Sequence, residues 1–87
     1  MEQTTAVIRI EGGLHARPAS ILVNKAKTFA SRITLTNAAK QADAKSIIGL
    51  MGLATKSGDE IIIIAEGEDE FAAVQEIKQI IENGFQL

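Results

Sequence analysis

One histidine, His15, and one proline, Pro18, stand three residues apart in the stretch Gly13-Leu14-His15-Ala16-Arg17-Pro18-Ala19-Ser20. An imidazole is a competent nucleophile near neutral pH, because much of it is then unprotonated. Arg17 adds a permanent cation whose planar fork suits phosphate oxygens. Pro18 cannot sit in a helix interior, but the first turn tolerates it, since the missing N–H had no partner there. Beyond it Ala19, Leu22, Val23, Ala26 and Ala30 recur at helical spacing. Gly12 and Gly13 form a turn just before. The spacing predicts a helix that starts near Ala16, with His15 at or next to its N-cap. The first backbone N–H groups of a helix, here those of Ala16 and Arg17, lack intrahelical partners and face the positive end of the macrodipole. They form an anion site, above all for phosphate. A nucleophile beside a phosphate cradle is the chemistry this implies. The plainer reading is an exposed, solvated histidine at a helix start, and from His15 alone it would win. Arg17, Pro18 and the glycine turn bring the two readings level.

A second candidate is Ser46. Serine is a preferred N-cap. It opens the segment Ile47-Ile48-Gly49-Leu50-Met51-Gly52-Leu53, which is apolar on every side and holds two glycines. So short a helix cannot bury its whole circumference. Leu50 and Leu53 are the expected inward pair, which leaves Ile47, Ile48 and Met51 at the surface as a protein-docking patch. On the first helix Ile21 lies off the apolar face, either as a boundary position or as an exposed contact near His15.

The composition narrows the remaining possibilities. Residues 1–87 are enough for one small domain, 46% hydrophobic and 23% charged. A net charge of −2 argues against nucleic-acid binding, which rests on a basic surface. With no cysteine and a single histidine, neither a disulfide framework nor a metal centre is expected. Met1-Glu2-Gln3-Thr4-Thr5 lacks the basic and apolar regions of a signal peptide. No apolar run reaches membrane-spanning length, so membrane insertion is not expected. A soluble, cytoplasmic protein is the expectation.

The elements that must position the two sites follow from periodicity. Thr4–Ile10 reads as a strand with Ala6, Ile8 and Ile10 inward, and the helix after His15 as running to about Phe29. Arg32–Thr36 is a strand with Ile33 and Leu35 inward, Asn37–Lys40 a turn, and Gln41–Ala44 a weak return strand at an edge. The segment after Ser46 is the second helix. Glu60–Ala65, with four consecutive isoleucines, reads as a central strand. Glu68, Asp69 and Glu70 suit a helix N-terminus, and Phe71, Val74, Ile77, Ile80 and Ile81 form the stripe of a last helix ending near Asn83-Gly84. The order β-α-β-β-α-β-α implies an α+β sandwich with helices on one face of a sheet. On the other face Ile62 and Ile64, with Val7, would meet solvent, and the acids Asp59, Glu60 and Glu66 flank that run like gatekeepers.

Gly13-Leu14-His15-Ala16-Arg17-Pro18-Ala19 resembles the active-site signature of the HPr family, the histidine-containing phosphocarriers of the bacterial phosphoenolpyruvate:sugar phosphotransferase system. Lys45-Ser46-Ile47-Ile48-Gly49-Leu50-Met51 is similar to the same family's regulatory serine segment, and the two motifs fall at the family's spacing. The resemblance implies an open-faced β-sandwich, a four-stranded antiparallel sheet of order 1-4-2-3 with three helices on one face. It implies a phosphoryl carrier and no enzyme in its own right, with His15 accepting phosphate from enzyme I and passing it to enzyme II A domains, and with no cofactor. Ser46 would be modified by an HPr kinase/phosphorylase, and in Gram-positive relatives the modified form serves a catabolite control protein. Arg17, Ser20, Ile21, Ile47, Ile48 and Met51 are the expected partner contacts. A regulatory paralogue acting through phospho-Ser46 as a transcriptional co-repressor is the alternative. In that group the active-site histidine is replaced, commonly by Gln, whereas His15 is intact here.

Overall fold

The computed structural model describes residues 1–86. The elements are β1 (Glu2–Val7), α1 (Ala16–Ala26), β2 (Arg32–Asn37), β3 (Lys40–Asp43), α2 (Ile47–Met51), β4 (Glu60–Glu66) and α3 (Glu70–Glu82). The strands form one antiparallel sheet in the order β1-β4-β2-β3. Its inward face is apolar because the period-2 side chains of neighbouring strands meet in register. Ala6 lies opposite Ile61, Ile33 opposite Ala65, and Leu35 opposite Ile63. These six are buried, and they form one core cluster with Leu22 and Val23 of α1, Leu50 of α2 and Val74, Ile77 and Ile81 of α3. The β-α-β-β-α-β-α order, the open sheet and its strand order all agree with expectation.

The boundaries differ in instructive ways. β1 begins at Glu2 and ends at Val7, not at Ile10. Beyond Val7, Ile8 still pairs with the 58–59 turn, its N–H donating to Asp59 O and its carbonyl accepting from Gly58 N, each at 2.8 Å. α1 ends at Ala26 instead of Phe29. There the chain tightens into i→i+3 bonds from Thr28 and Phe29, and the Thr28 hydroxyl donates to Lys25 O at 2.7 Å. Ala30, expected on the apolar stripe, is exposed. α2 stops at Met51, so Leu53 is buried from the following turn. Phe71 is 64% exposed, because it lies off the flank of the face defined by Ala73, Val74, Ile77 and Ile81.

Ile62 and Ile64 do point to the open face, but each is only partly exposed. Ile62 sits between Thr5 and Thr36, and Ile64 between Gln3 and Thr34. The neighbouring side chains cover much of each isoleucine, so the face is a narrow apolar stripe set in polar rows.

The acids before α3 have a different job from the expected one. Asp69 is the N-cap residue, yet its carboxylate makes no capping bond to its own helix. It accepts from the N–H groups of Ala30 (2.8 Å) and Ser31 (3.0 Å) and from the Ser31 hydroxyl. Gly67 lies so close to Ser31 that a Cβ would come within 2.6 Å of its hydroxyl oxygen. These contacts lock the start of β2 to the turn before α3. The hydroxyl of Ser31, followed by the backbone N–H groups, holds the Asp69 carboxyl below the usual range. A depressed folded pKa contributes stability above the unfolded value of about 3.9 that is lost as pH falls through the folded value. Asp69→Asn should therefore melt below wild type at pH 7, and the gap should close as the pH drops through the carboxylate range. Thermal melts of both proteins across that range check this; a gap of constant size would mean the carboxylate charge is not what holds the loop.

Candidate functional site

His15 is the N-cap of α1, with extended backbone (φ −79°, ψ −173°). Its carbonyl accepts the first helical bond, from Ala19 N at 3.0 Å, and its own N–H donates to Gly13 O at 3.0 Å. The side chain makes no capping bond and the residue is exposed. Pro18 brings no N–H, so the first-turn donors left without helical partners are those of Ala16 and Arg17. Both residues are exposed, and among the described residues Arg17 has no ion pair. Pro18, by contrast, is buried and anchors the first turn.

The loop that presents His15 is held from below. Gly12 and Gly13 both have positive φ, 87° and 64°. A Cβ at Gly13 would lie 2.1 Å from the backbone oxygen of Thr55, so the close approach admits only glycine. The Thr55 hydroxyl accepts from Leu14 N at 2.8 Å, and Leu14 itself is buried. Above this, the Cδ2–Nε2 edge of the His15 ring lies over Gly12, with Cδ2 3.2 Å from where a Cβ would stand.

His15, Arg17, Pro18 and Ile21 line one shallow depression of about 320 Å³ with Glu11 and the segment 84–86. Ile21 is thus half-buried beside the site, part of its side chain on the core and part on the depression. Ser20, one residue earlier on α1, is also half-buried. Thr55 and Phe85 were not legible as site residues. Thr55 lies in a non-periodic turn with no motif. Phe85 follows the helix stop, yet it is buried and adopts φ 65°, unusual for a side chain of that size.

Ser46 is the N-cap of α2, and its hydroxyl accepts from Gly49 N at 3.0 Å. Leu50 and Leu53 are buried, while Ile47, Ile48 and Met51 are 39%, 84% and 45% exposed. The segment packs on α1 and β3. Among the described residues no cluster of side chains could hold a metal ion, and no helix is long and apolar enough to cross a membrane.

The chain as a whole is similar to known proteins. The family model described as PTS HPr component phosphorylation site matches residues 2–83. The phosphocarrier protein HPr of Mycoplasma capricolum is 47% identical over 79 residues, 91% of this chain and 89% of the relative. The HPr-like protein Crh of Bacillus subtilis is 40% identical over 82 residues, 94% of this chain and 96% of the relative. The crystal structure of HPr-C-His from Thermoanaerobacter tengcongensis superposes with a TM-score of 0.93 at 38% identity, covering all of both chains. The chain therefore belongs to the HPr family of phosphotransferase-system phosphocarrier proteins.

Proposed function

We propose that residues 1–87 act as a single cytoplasmic carrier domain, in which His15 accepts a phosphoryl group from phospho-enzyme I and donates it to the A domains of sugar-specific enzymes II. The observation behind this reading is the exposed imidazole at the N-cap of α1, beside the free amides of Ala16 and Arg17. The attacking atom is a ring nitrogen of His15. Its lone pair forms the nitrogen–phosphorus bond as the bond from phosphorus to the donor breaks, and the reverse step delivers the group to the acceptor. The protein supplies position and charge. The amides of Ala16 and Arg17 and the Arg17 guanidinium meet the phosphoryl oxygens as charge spreads over them. Nothing is turned over, so the protein is a relay component and not an enzyme. Arg17 and Ile21 line the depression beside His15 and, with Ser20, form one half of the proposed partner surface; Ile47, Ile48 and Met51 form the other.

Ser46 is the proposed regulatory site. An ATP-dependent HPr kinase/phosphorylase would esterify its hydroxyl, and the product would serve a catabolite control protein. A dianion at the start of α2 is locally favourable, so the fold should survive. At a docking surface the same charge repels an acidic partner and adds a desolvation cost. The similarity to Crh keeps a mainly regulatory role as the alternative, and the intact His15 favours the carrier.

Transfer kinetics from phosphoenolpyruvate through enzyme I test the reading. His15→Ala should accept no phosphate on this route. Arg17→Ala should slow acceptance about 10²- to 10³-fold, the scale of losing one preorganised charge-stabilising donor, while stability changes by no more than about 0.5 kcal/mol. Arg17→Lys should recover only part of the rate, because lysine lacks the fork. A lysine variant as fast as wild type would show that charge alone matters. For Ser46→Asp the expectation is a melting temperature equal to or slightly above wild type and acceptance slowed by about tenfold or more. An unfolded variant would show that the charge acts through the fold, and an unchanged rate, in the variant and after enzymatic phosphorylation alike, would leave Ser46 as a cap only.

A further inference from the structure

β1 is an edge strand, and among the described residues its only sheet partner is β4. In an antiparallel edge strand alternate residues turn both N–H and C=O away from the partner. Here those are the odd residues, Gln3, Thr5 and Val7, since the Thr5 carbonyl and the Val7 N–H are bonded from outside the sheet. The bonds come from one turn of α3. Lys78 Nζ donates to Thr5 O, Glu82 Oε2 accepts from Val7 N at 3.4 Å, and the two side chains pair with each other at 3.4 Å. The N–H of Val7 and the ammonium of Lys78 hold the Glu82 carboxyl below the usual range, so it is ionised where it makes this contact. The opposite edge is protected differently. β3 has four residues and carries charges at both ends, Lys40 and Asp43. β1 has six residues, and its outward row, Gln3, Thr5 and Val7, is uncharged.

We propose that Lys78 and Glu82 are an edge guard: they occupy the free hydrogen-bonding groups of β1 and so prevent a second copy of this chain from pairing along it. The occupant they exclude is a second copy because the row is self-complementary. About a two-fold axis at Thr5, two β1 strands run antiparallel, Thr5 faces Thr5 of the partner copy, and Gln3 faces Val7. No like charges meet along that row. Pairing would extend the four-stranded sheet into a continuous one across the dimer. It requires that the two guarding side chains swing aside, and each is one-third exposed at the surface.

The test is the oligomeric state of Lys78→Ala/Glu82→Ala against wild type by sedimentation over a concentration series, with amide exchange at Gln3, Thr5 and Val7. Removing two bonds that pairing must otherwise break should tighten self-association by about tenfold to a hundredfold. The Thr5 amide should then become protected in step with dimer formation. Adding Thr5→Pro removes an outward N–H and no bond to β4, so it should abolish the dimer while the fold is retained. A folded double variant as monomeric as wild type would overturn the proposal. So would a dimer that persists with Thr5→Pro, since it would use another surface. If the double variant does not fold, Lys78→Ala and Glu82→Ala singly decide, each with part of the effect or none.

Discussion

The site rests on the contact between Gly13 and Thr55. The backbone of the His15 loop can stand where it does only because position 13 has no Cβ, which would meet the Thr55 carbonyl at 2.1 Å. The Thr55 hydroxyl then takes the N–H of Leu14, a group that would otherwise be buried without a partner. With the loop pinned, His15 enters α1 as an N-cap in extended conformation and its ring lies over Gly12. The free amides of Ala16 and Arg17 follow from the helix geometry, and Pro18 ensures that no third donor competes at the next position.

The same support reaches the second site. Thr55 belongs to the connection between α2 and β4. That connection is held by Asn37, whose amide donates to Leu53 O at 3.0 Å, and by Asp59, which accepts from Lys56 N at 3.0 Å. α2, with Ser46 at its head, leads directly into it. The His15 loop and the C-terminal end of α2 therefore hang on one set of turns at one end of the sheet, while Lys45, beside Ser46, reaches back to donate to Phe29 O at 2.9 Å. At the other end the Asp69 carboxylate fixes the α1–β2 loop to the turn before α3. Neither lock depends on a long element. Both are short-range contacts of glycine, hydroxyl and carboxylate with backbone, and the core of isoleucine, leucine and valine supplies the frame between them.

Much of this was legible in the sequence, for identifiable reasons. The inward sets Ile33/Leu35 and Ile61/Ile63 follow from strand alternation, and Val74, Ile77 and Ile81 from helical spacing. His15 at an N-cap followed from the glycine turn and Pro18, and Ser46 from cap preference, because both depend on a few adjacent residues. What was not legible depends on contacts between distant segments. Thr55 supports a loop 41 residues away. Asp69 looked like a helix-dipole residue and instead bonds Ser31. Phe71 satisfied the spacing of the last helix but lies off its buried flank, and α1 ended early because Thr28 turns back on Lys25. The partial cover of Ile62 and Ile64 came from strand register, which periodicity does not encode.

The central claim is that His15 is the group that holds the phosphoryl. The most direct test is ³¹P and ¹⁵N NMR of the protein after incubation with phosphoenolpyruvate and enzyme I, with peptide mapping of the adduct before and after mild acid. The expected result is a single phosphoramidate on His15 that mild acid removes. An adduct that survives acid, one that maps outside Gly13–Ser20, or no adduct at all would contradict it.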